Sequence, residues 1–325
     1  MPRKRRIAGS ILFWLLLCSG AAWAATALWI HLEGTARVVV LLTLAVALIA
    51  AIFARWRARP LGWVVLAITA LAVAGWYQTI VPRADRDWAI DVQRGVKAEV
   101  SGDTVTLSDI RDFEWITKDS AQERWTSGTY DLQTLQSVDM LTSVWDNPDI
   151  AHVLVSFGFE DAEHVVFSVE IRREAGEVFN EIGGFFHQFE LVLIAATERD
   201  IVKLRTNHRG EQVSLYAIDL TPEQRRKFFM AYVALAQRLE ERPEFYNTLT
   251  ANCTTVVYQL ATAVNPDLPL DWRLVMSGRL PEFIEELGLL AGNGSLADRR
   301  TAALITPRAQ AAAKGANFSE VIRGK

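Results

Sequence analysis

One sulfur in this chain is placed to do chemistry. Of its two cysteines, Cys18 lies inside an apolar run, whereas Cys253 belongs to Asn252-Cys253-Thr254-Thr255, the head of a predicted helix. Asn252 is a helix-capping residue type, so Cys253 falls in the first turn. There, unbonded backbone N–H groups and the positive end of the helix dipole favour thiolate. The following residue, Thr254, is expected to offer its backbone N–H to a developing oxyanion. The competing reading is a small side chain filling a helix–sheet seam. No other cysteine lies outside the apolar runs to form a disulfide, so Cys253 is either buried and inert or in use.

A thiol nucleophile needs a base, and the base needs an orienting partner. His152 opens one β-rich run and His164 opens the next, twelve residues later. Both are placed to reach a helix start packed on their sheet. Glu170 shares a strand face with His164, because side chains alternate with period two. It is a rival orienter or one half of a structural ion pair with an arginine. His187 and His208 sit in turn-like surroundings and are secondary candidates. Trp125 and Tyr130 are read as walls of an acyl groove or as core packing, and Asn252 and Thr254 as substrate contacts or as capping groups. Glu190, Glu198, Arg199, Asp200 and Arg205 read as a solvated or ion-paired cluster. No metal-ligand spacing and no phosphate-binding glycine loop is present, so neither metal nor cofactor is expected. A net charge of −4 leaves no electrostatic footprint for nucleic acid.

Local patterning supplies elements to hold these residues. Ala151–Phe159 and Glu163–Ile171 are predicted to pair as a hairpin joined by Glu160-Asp161-Ala162. Asp131–Val144 and Val213–Ile218 read as further strands. Phe189–Ala196 and Ile201–Arg205 read as a second strand pair around Thr197-Glu198-Arg199-Asp200. Thr221-Pro222-Glu223-Gln224 is a capping box with proline at the first helical position. Phe228, Tyr232, Leu235 and Leu239 then recur at helical spacing. The helix that Asn252 caps runs toward Asn265-Pro266, and Pro281–Leu290 is a short helix. Beyond Ala291 the chain is small and polar, read as a flexible tail with no contribution to the core.

Upstream lie three apolar runs, Ile7–Ile30, Val38–Ala54 and Leu61–Val81. A membrane span takes about 20 apolar residues, because every backbone group must be bonded internally. Arg3, Lys4, Arg5 and Arg6 precede the first run, and Arg55, Arg57 and Arg59 separate the second from the third. Positive loops stay in the cytoplasm, so the amino terminus is expected inside and everything after Val81 outside. The rival for the first run is a signal peptide cleaved at Ala22-Trp23-Ala24. Leu15-Leu16-Leu17 before Cys18 is a poor lipobox.

The order of His152, His164 and a helix-start Asn-Cys resembles the circularly permuted papain-like fold of the lecithin:retinol acyltransferase and NlpC-type superfamily. That resemblance implies His152 as base, His164 as its orienter and Cys253 as acyl carrier. Three further stretches resemble the periplasmic domain of the Lnb family over roughly residues 108 to 275. They are Gly184-Phe185-Phe186-His187-Gln188-Phe189-Glu190, Glu198-Arg199-Asp200 through Leu204-Arg205-Thr206-Asn207, and Tyr246-Asn247 through Asn252-Cys253-Thr254-Thr255. The activity named for that family is lipoprotein N-acyltransfer. The resemblance therefore implies membrane lipids or lipoproteins as substrates and a location in the bacterial cytoplasmic membrane, with the domain periplasmic. The alternatives are a cysteine amidase or peptidase on cell-wall peptides and a non-catalytic envelope scaffold. The expected architecture is α+β: a three-helix anchor (1–82), an antiparallel sheet packed on helices in a permuted papain-like domain (83–290), and the tail (291–325).

Overall fold

The computed structural model describes residues 2–83, 85–160 and 163–325. Two compact units divide it, one comprising Met1–Arg83 with Glu181–Gln188 and the other Ala84–Asn180 with Phe189–Lys325. In the first, α1 (Pro2–His31), α2 (Gly34–Arg57) and α3 (Arg59–Tyr77) contain three segments long and apolar enough to cross a membrane. Ala58 is the single extended residue between α2 and α3. Gly62 lets these two helices close up, since a Cβ there would lie 2.6 Å from that of Arg55. The short helix α4 (Glu181–Phe185) belongs to this unit, and the Phe186 carbonyl meets the His31 ring at 2.5 Å.

The second unit is α+β. Its strands are β1 (Lys97–Ser101), β2 (Thr104–Arg111), β3 (Glu114–Trp115), β4 (Ala121–Gln122), β5 (Trp125–Asp131), β6 (Leu135–Val144), β7 (His152–Phe159), β8 (His164–Arg172), β9 (Glu190–Ala196) and β10 (Gln212–Ala217). The main sheet runs β1-β2-β9-β8-β7-β6-β10, with β5 paired to β2. It is mixed, because β2 meets β9 in parallel at Arg111 and Ala196 while its other pairs are antiparallel. The predicted hairpin is present as β7 and β8. Of its turn, Asp161 and Ala162 lie outside the described residues.

Period-two alternation gives the sheet two apolar faces. Val155, Phe157, Phe159, Val165, Phe167 and Val169 pack under α6 (Pro222–Glu241) and α7 (Cys253–Thr262). The expected capping box of Thr221 and Gln224 starts α6, and Tyr232 then stacks on Phe167 with ring centroids 5.0 Å apart. Leu154, Val166, Val192 and Ile194 face the other way. Ile201 and Val202 cover that second face, but as part of α5 (Glu198–Lys203) followed by a π-helical turn at Leu204–His208, not as the expected strand. Thr197 caps α5 by accepting from the Asp200 N–H, so a stretch read as a turn is a helix start.

Past α8 (Leu280–Glu286), the carboxy-terminal segment forms α9 (Leu296–Ala303), α10 (Thr306–Ala311) and α11 (Phe318–Ile322). The reading of a tail without core contacts is corrected here, because Ile305, Ala309, Phe318 and Ile322 are buried in the second face. Arg323 then reaches Asp139 and Glu198, both at 2.6–2.7 Å.

Candidate functional site

Asn252 builds the start of α7. Its Oδ1 accepts from the Thr254 and Thr255 N–H groups, each at 2.9 Å, and its Nδ2 donates to the Thr248 carbonyl at 2.7 Å. Both ends of the amide are therefore used locally, which makes Asn252 a cap. The same bonds correct the expected oxyanion donor, since the Thr254 N–H is already engaged. Cys253, at the first helical position, carries the main-chain N–H nearest the sulfur that needs no intrahelical acceptor. Thr254 is buried, with Oγ1 3.8 Å from the Cys253 sulfur.

The opening of β7 meets this helix start. The His152 ring and the Val153 backbone N–H come close enough to the sulfur there to lower its pKa. Behind the ring, His152 Nε2 lies 2.7 Å from Ser168 Oγ and 3.2 Å from Glu170 Oε1. Ser168 donates its only proton to Glu170 Oε1 at 2.7 Å, so it accepts from His152 Nε2–H. That fixes the tautomer and leaves Nδ1 to face the thiol. Arg205, from the π-helical turn, donates to the same Glu170 oxygen at 2.8 Å and to Glu211 at 3.1 Å. Glu211 also accepts from Ser143 on β6 at 2.5 Å.

Charge follows from this geometry. Burial, the largest single influence, would by itself depress the His152 pKa, and the Glu170 carboxylate is the strongest of the groups that oppose it. With a further contribution from the Cys253 sulfur, and against the Arg205 cation, the imidazole is pushed up to about 9. Burial raises the Cys253 thiol, yet the His152 charge, the Val153 N–H and the Thr254 hydroxyl together bring it below the ordinary thiol value. Burial acts on Glu170 as well, and His152 and Arg205 hold it well below the usual carboxylate range. Both shifts run in the direction that favours thiolate and imidazolium in the pair.

Iodoacetamide is accordingly expected to modify Cys253 readily at pH 7. In a His152→Gln variant the burial remains while the compensating charge is gone. The rate at pH 7 should fall at least about tenfold and recover as pH rises past the ordinary thiol range. Peptide mass spectrometry over a pH series reads this. An unchanged profile in the variant would mean that the imidazole does not set the ionisation.

His164 does not orient His152. The ladder pairs it with Gly158, at the turn end of the hairpin, where a Cβ on Gly158 would lie 2.7 Å from His164 Nε2. Six residues separate it from Glu170 along β8, about 20 Å at strand rise. Its surroundings are Asp139 and Glu198, and among the described residues these three place ligand-type atoms within 4.8 Å of one another. The Arg323 guanidinium already lies against both carboxylates.

Nor are the expected groove residues at the sulfur. Tyr130 is core, packed on Phe159 at 4.9 Å at the far end of β7 from His152, and Trp125 packs edge-on against Phe113 at 4.9 Å. The charged cluster resolves into separate pairs: Asp200 with Arg111, Glu198 with Arg323, Arg199 with Asp112, Glu190 with Arg172 and Arg205 with Glu170. Ser168 was missed because a serine within a strand carries no local signal.

No curated protein and no solved structure matches the chain. Residues 121–278, the stretch that holds His152, Ser168, Glu170, Arg205 and Cys253, match a known family. Over those residues the chain belongs to the family described as the Lnb N-terminal periplasmic domain.

Proposed function

We propose that the protein is a membrane-anchored thiol acyltransferase or hydrolase acting on acyl esters of lipoproteins or lipids outside the cytoplasm. The observation that carries this reading is the Cys253 thiol set beside the His152 imidazole, which Ser168 and Glu170 back. The Cys253 thiolate attacks the ester carbonyl, and the oxyanion that forms is held by the Cys253 N–H. Collapse breaks the ester C–O bond, and the His152 imidazolium gives its proton to the leaving alcohol. The acyl group is then a thioester on Cys253. An amine or water attacks it, His152 takes back a proton, and the thiolate leaves. A histidine strand preceding the cysteine helix is the chain order of a permuted papain-like enzyme, with Glu170 in the orienting place.

The three apolar helices suit a substrate that does not leave the bilayer. Arg55, Arg57 and Arg59 flank the α2–α3 junction, and their charge supports a cytoplasmic position for it and an extracytoplasmic one for the domain. Incubating the full-length protein with a diacylated lipopeptide is expected to add one acyl mass to the Cys253 peptide, removable by hydroxylamine and absent from Cys253→Ala. Cleavage of muropeptides with no acyl adduct would sink this reading in favour of an amidase.

A further inference from the structure

A second feature lies along the helix that begins with Cys253. One wall of a cavity of about 130 Å³ is formed by Val257 and Ala261 of α7 with Val264 just past its end, and its floor by Met140 of β6 and Val155 of β7. Leu287, just past α8, faces them, and the lining is apolar apart from Gln224 and Asn265. Val257 lies one helical turn beyond Cys253, about 6 Å along the axis. Val155 lies two residues beyond Val153, whose N–H helps lower the thiol pKa, on the same face of β7 and about 7 Å along the strand. Two independent elements thus bring the lining to within about one helical turn of Cys253 and one strand repeat of Val153, though neither of those residues lines the cavity.

The pocket is partly open to solvent and its walls are almost wholly apolar, so a hydrocarbon that covers them removes that surface from water. Its volume is close to that of the ~150 Å³ apolar cavities that take up benzene, so it holds about six carbons of a chain. We propose that this cavity binds the hydrocarbon chain of the acyl donor, with the segment next to the carbonyl entering between Val257 and Val155. The choice of ligand rests on the acyl-transfer reading of Cys253. The void itself is independent of it.

The test uses the full-length protein in detergent and a palmitic acid analogue carrying a photoreactive diazirine. Crosslinks are mapped by peptide mass spectrometry in wild type and in Cys253→Ala. Labelling of the 253–268 and 280–290 peptides is expected in both proteins. It should fall about threefold in Ala261→Leu and at least tenfold in Ala261→Trp, each at wild-type thermal stability. The leucine variant gives the answer if the tryptophan variant does not fold. Labelling confined to the membrane helices, or unchanged in Ala261→Leu, overturns the proposal. Cavity labelling with no acyl adduct on Cys253 from the lipopeptide would leave the cavity assignment standing and overturn the catalytic reading alone.

Discussion

In a His152→Ala variant, acylation of Cys253 by a lipopeptide ester at pH 7 is expected to fall by about 10⁴-fold, the upper end of what a positioned general acid–base contributes. Two losses combine. The thiol returns to the protonated form, because burial then acts without the opposing charge. The leaving alcohol also loses its proton donor. The first loss is recovered when bulk hydroxide ionises the thiol, so the deficit should shrink by about tenfold per pH unit as pH rises toward the thiol pKa. A Glu170→Gln variant keeps the ring but removes the strongest group raising its pKa, leaving the Cys253 sulfur alone to oppose burial and the Arg205 cation. Its acidic partner gone, the imidazolium is lost at lower pH, and the high-pH limb of the profile should move down by more than one unit with about a 10²-fold loss at pH 7. His164→Ala, at the other end of the hairpin, should stay within about twofold per folded molecule. Initial rates of adduct formation across pH 5–10 measure all three. A larger effect from His164 than from Glu170 would be incompatible with the ladder register.

What the sequence disclosed follows the range of each signal. Caps and hairpins are local, so the box at Thr221-Pro222-Glu223-Gln224, the Asn252 cap and the β7–β8 pair are legible from the residues alone. The choice between His164 and Glu170 was also within reach. A hairpin turn centred on residue 161 sets residue 152 opposite 170 and 158 opposite 164, which is the register that forms. Counting twelve residues between two histidines hid this symmetry. The rest was non-local. Ile201, Val202 and Leu204 have strand-like composition, but they cover a sheet face as a Thr197-capped helix, and packing overrides propensity there. The alanine-rich segment after residue 291 has no periodic face, and what orders it is a few buried anchors and one arginine whose partners lie over a hundred residues away.

That arginine supports the second large effect, which is on stability. Arg323→Ala is expected to destabilise the domain by about 3–5 kcal/mol at pH 7.5, because two carboxylates are then left buried without a counter-charge. The Glu198 and Asp139 side chains are 0% and 5% exposed, and Arg323 bonds both. With the guanidinium present, the Glu198 pKa is pushed up by burial but brought below the ordinary carboxylate value by Arg323, whereas burial keeps Asp139 raised. A depressed folded pKa contributes stability that is present above the unfolded value and lost as pH falls through the folded one. Without Arg323 both folded pKa values rise above their unfolded counterparts. The deficit is then full at neutral pH and shrinks on acidification toward the ordinary carboxylate range, as the buried carboxyls of the variant take up protons. Urea unfolding of wild type and variant at pH 7.5 and pH 5 checks both the size and the sign. A deficit under about 1 kcal/mol, or one that grows at pH 5, would mean that Arg323 is not what neutralises this pair. Asp139 pairs in register with Ser156 of β7, and Ser156 donates to Glu198 at 2.6 Å. The carboxy-terminal helices therefore secure, through one guanidinium, the same strand whose first residue is His152.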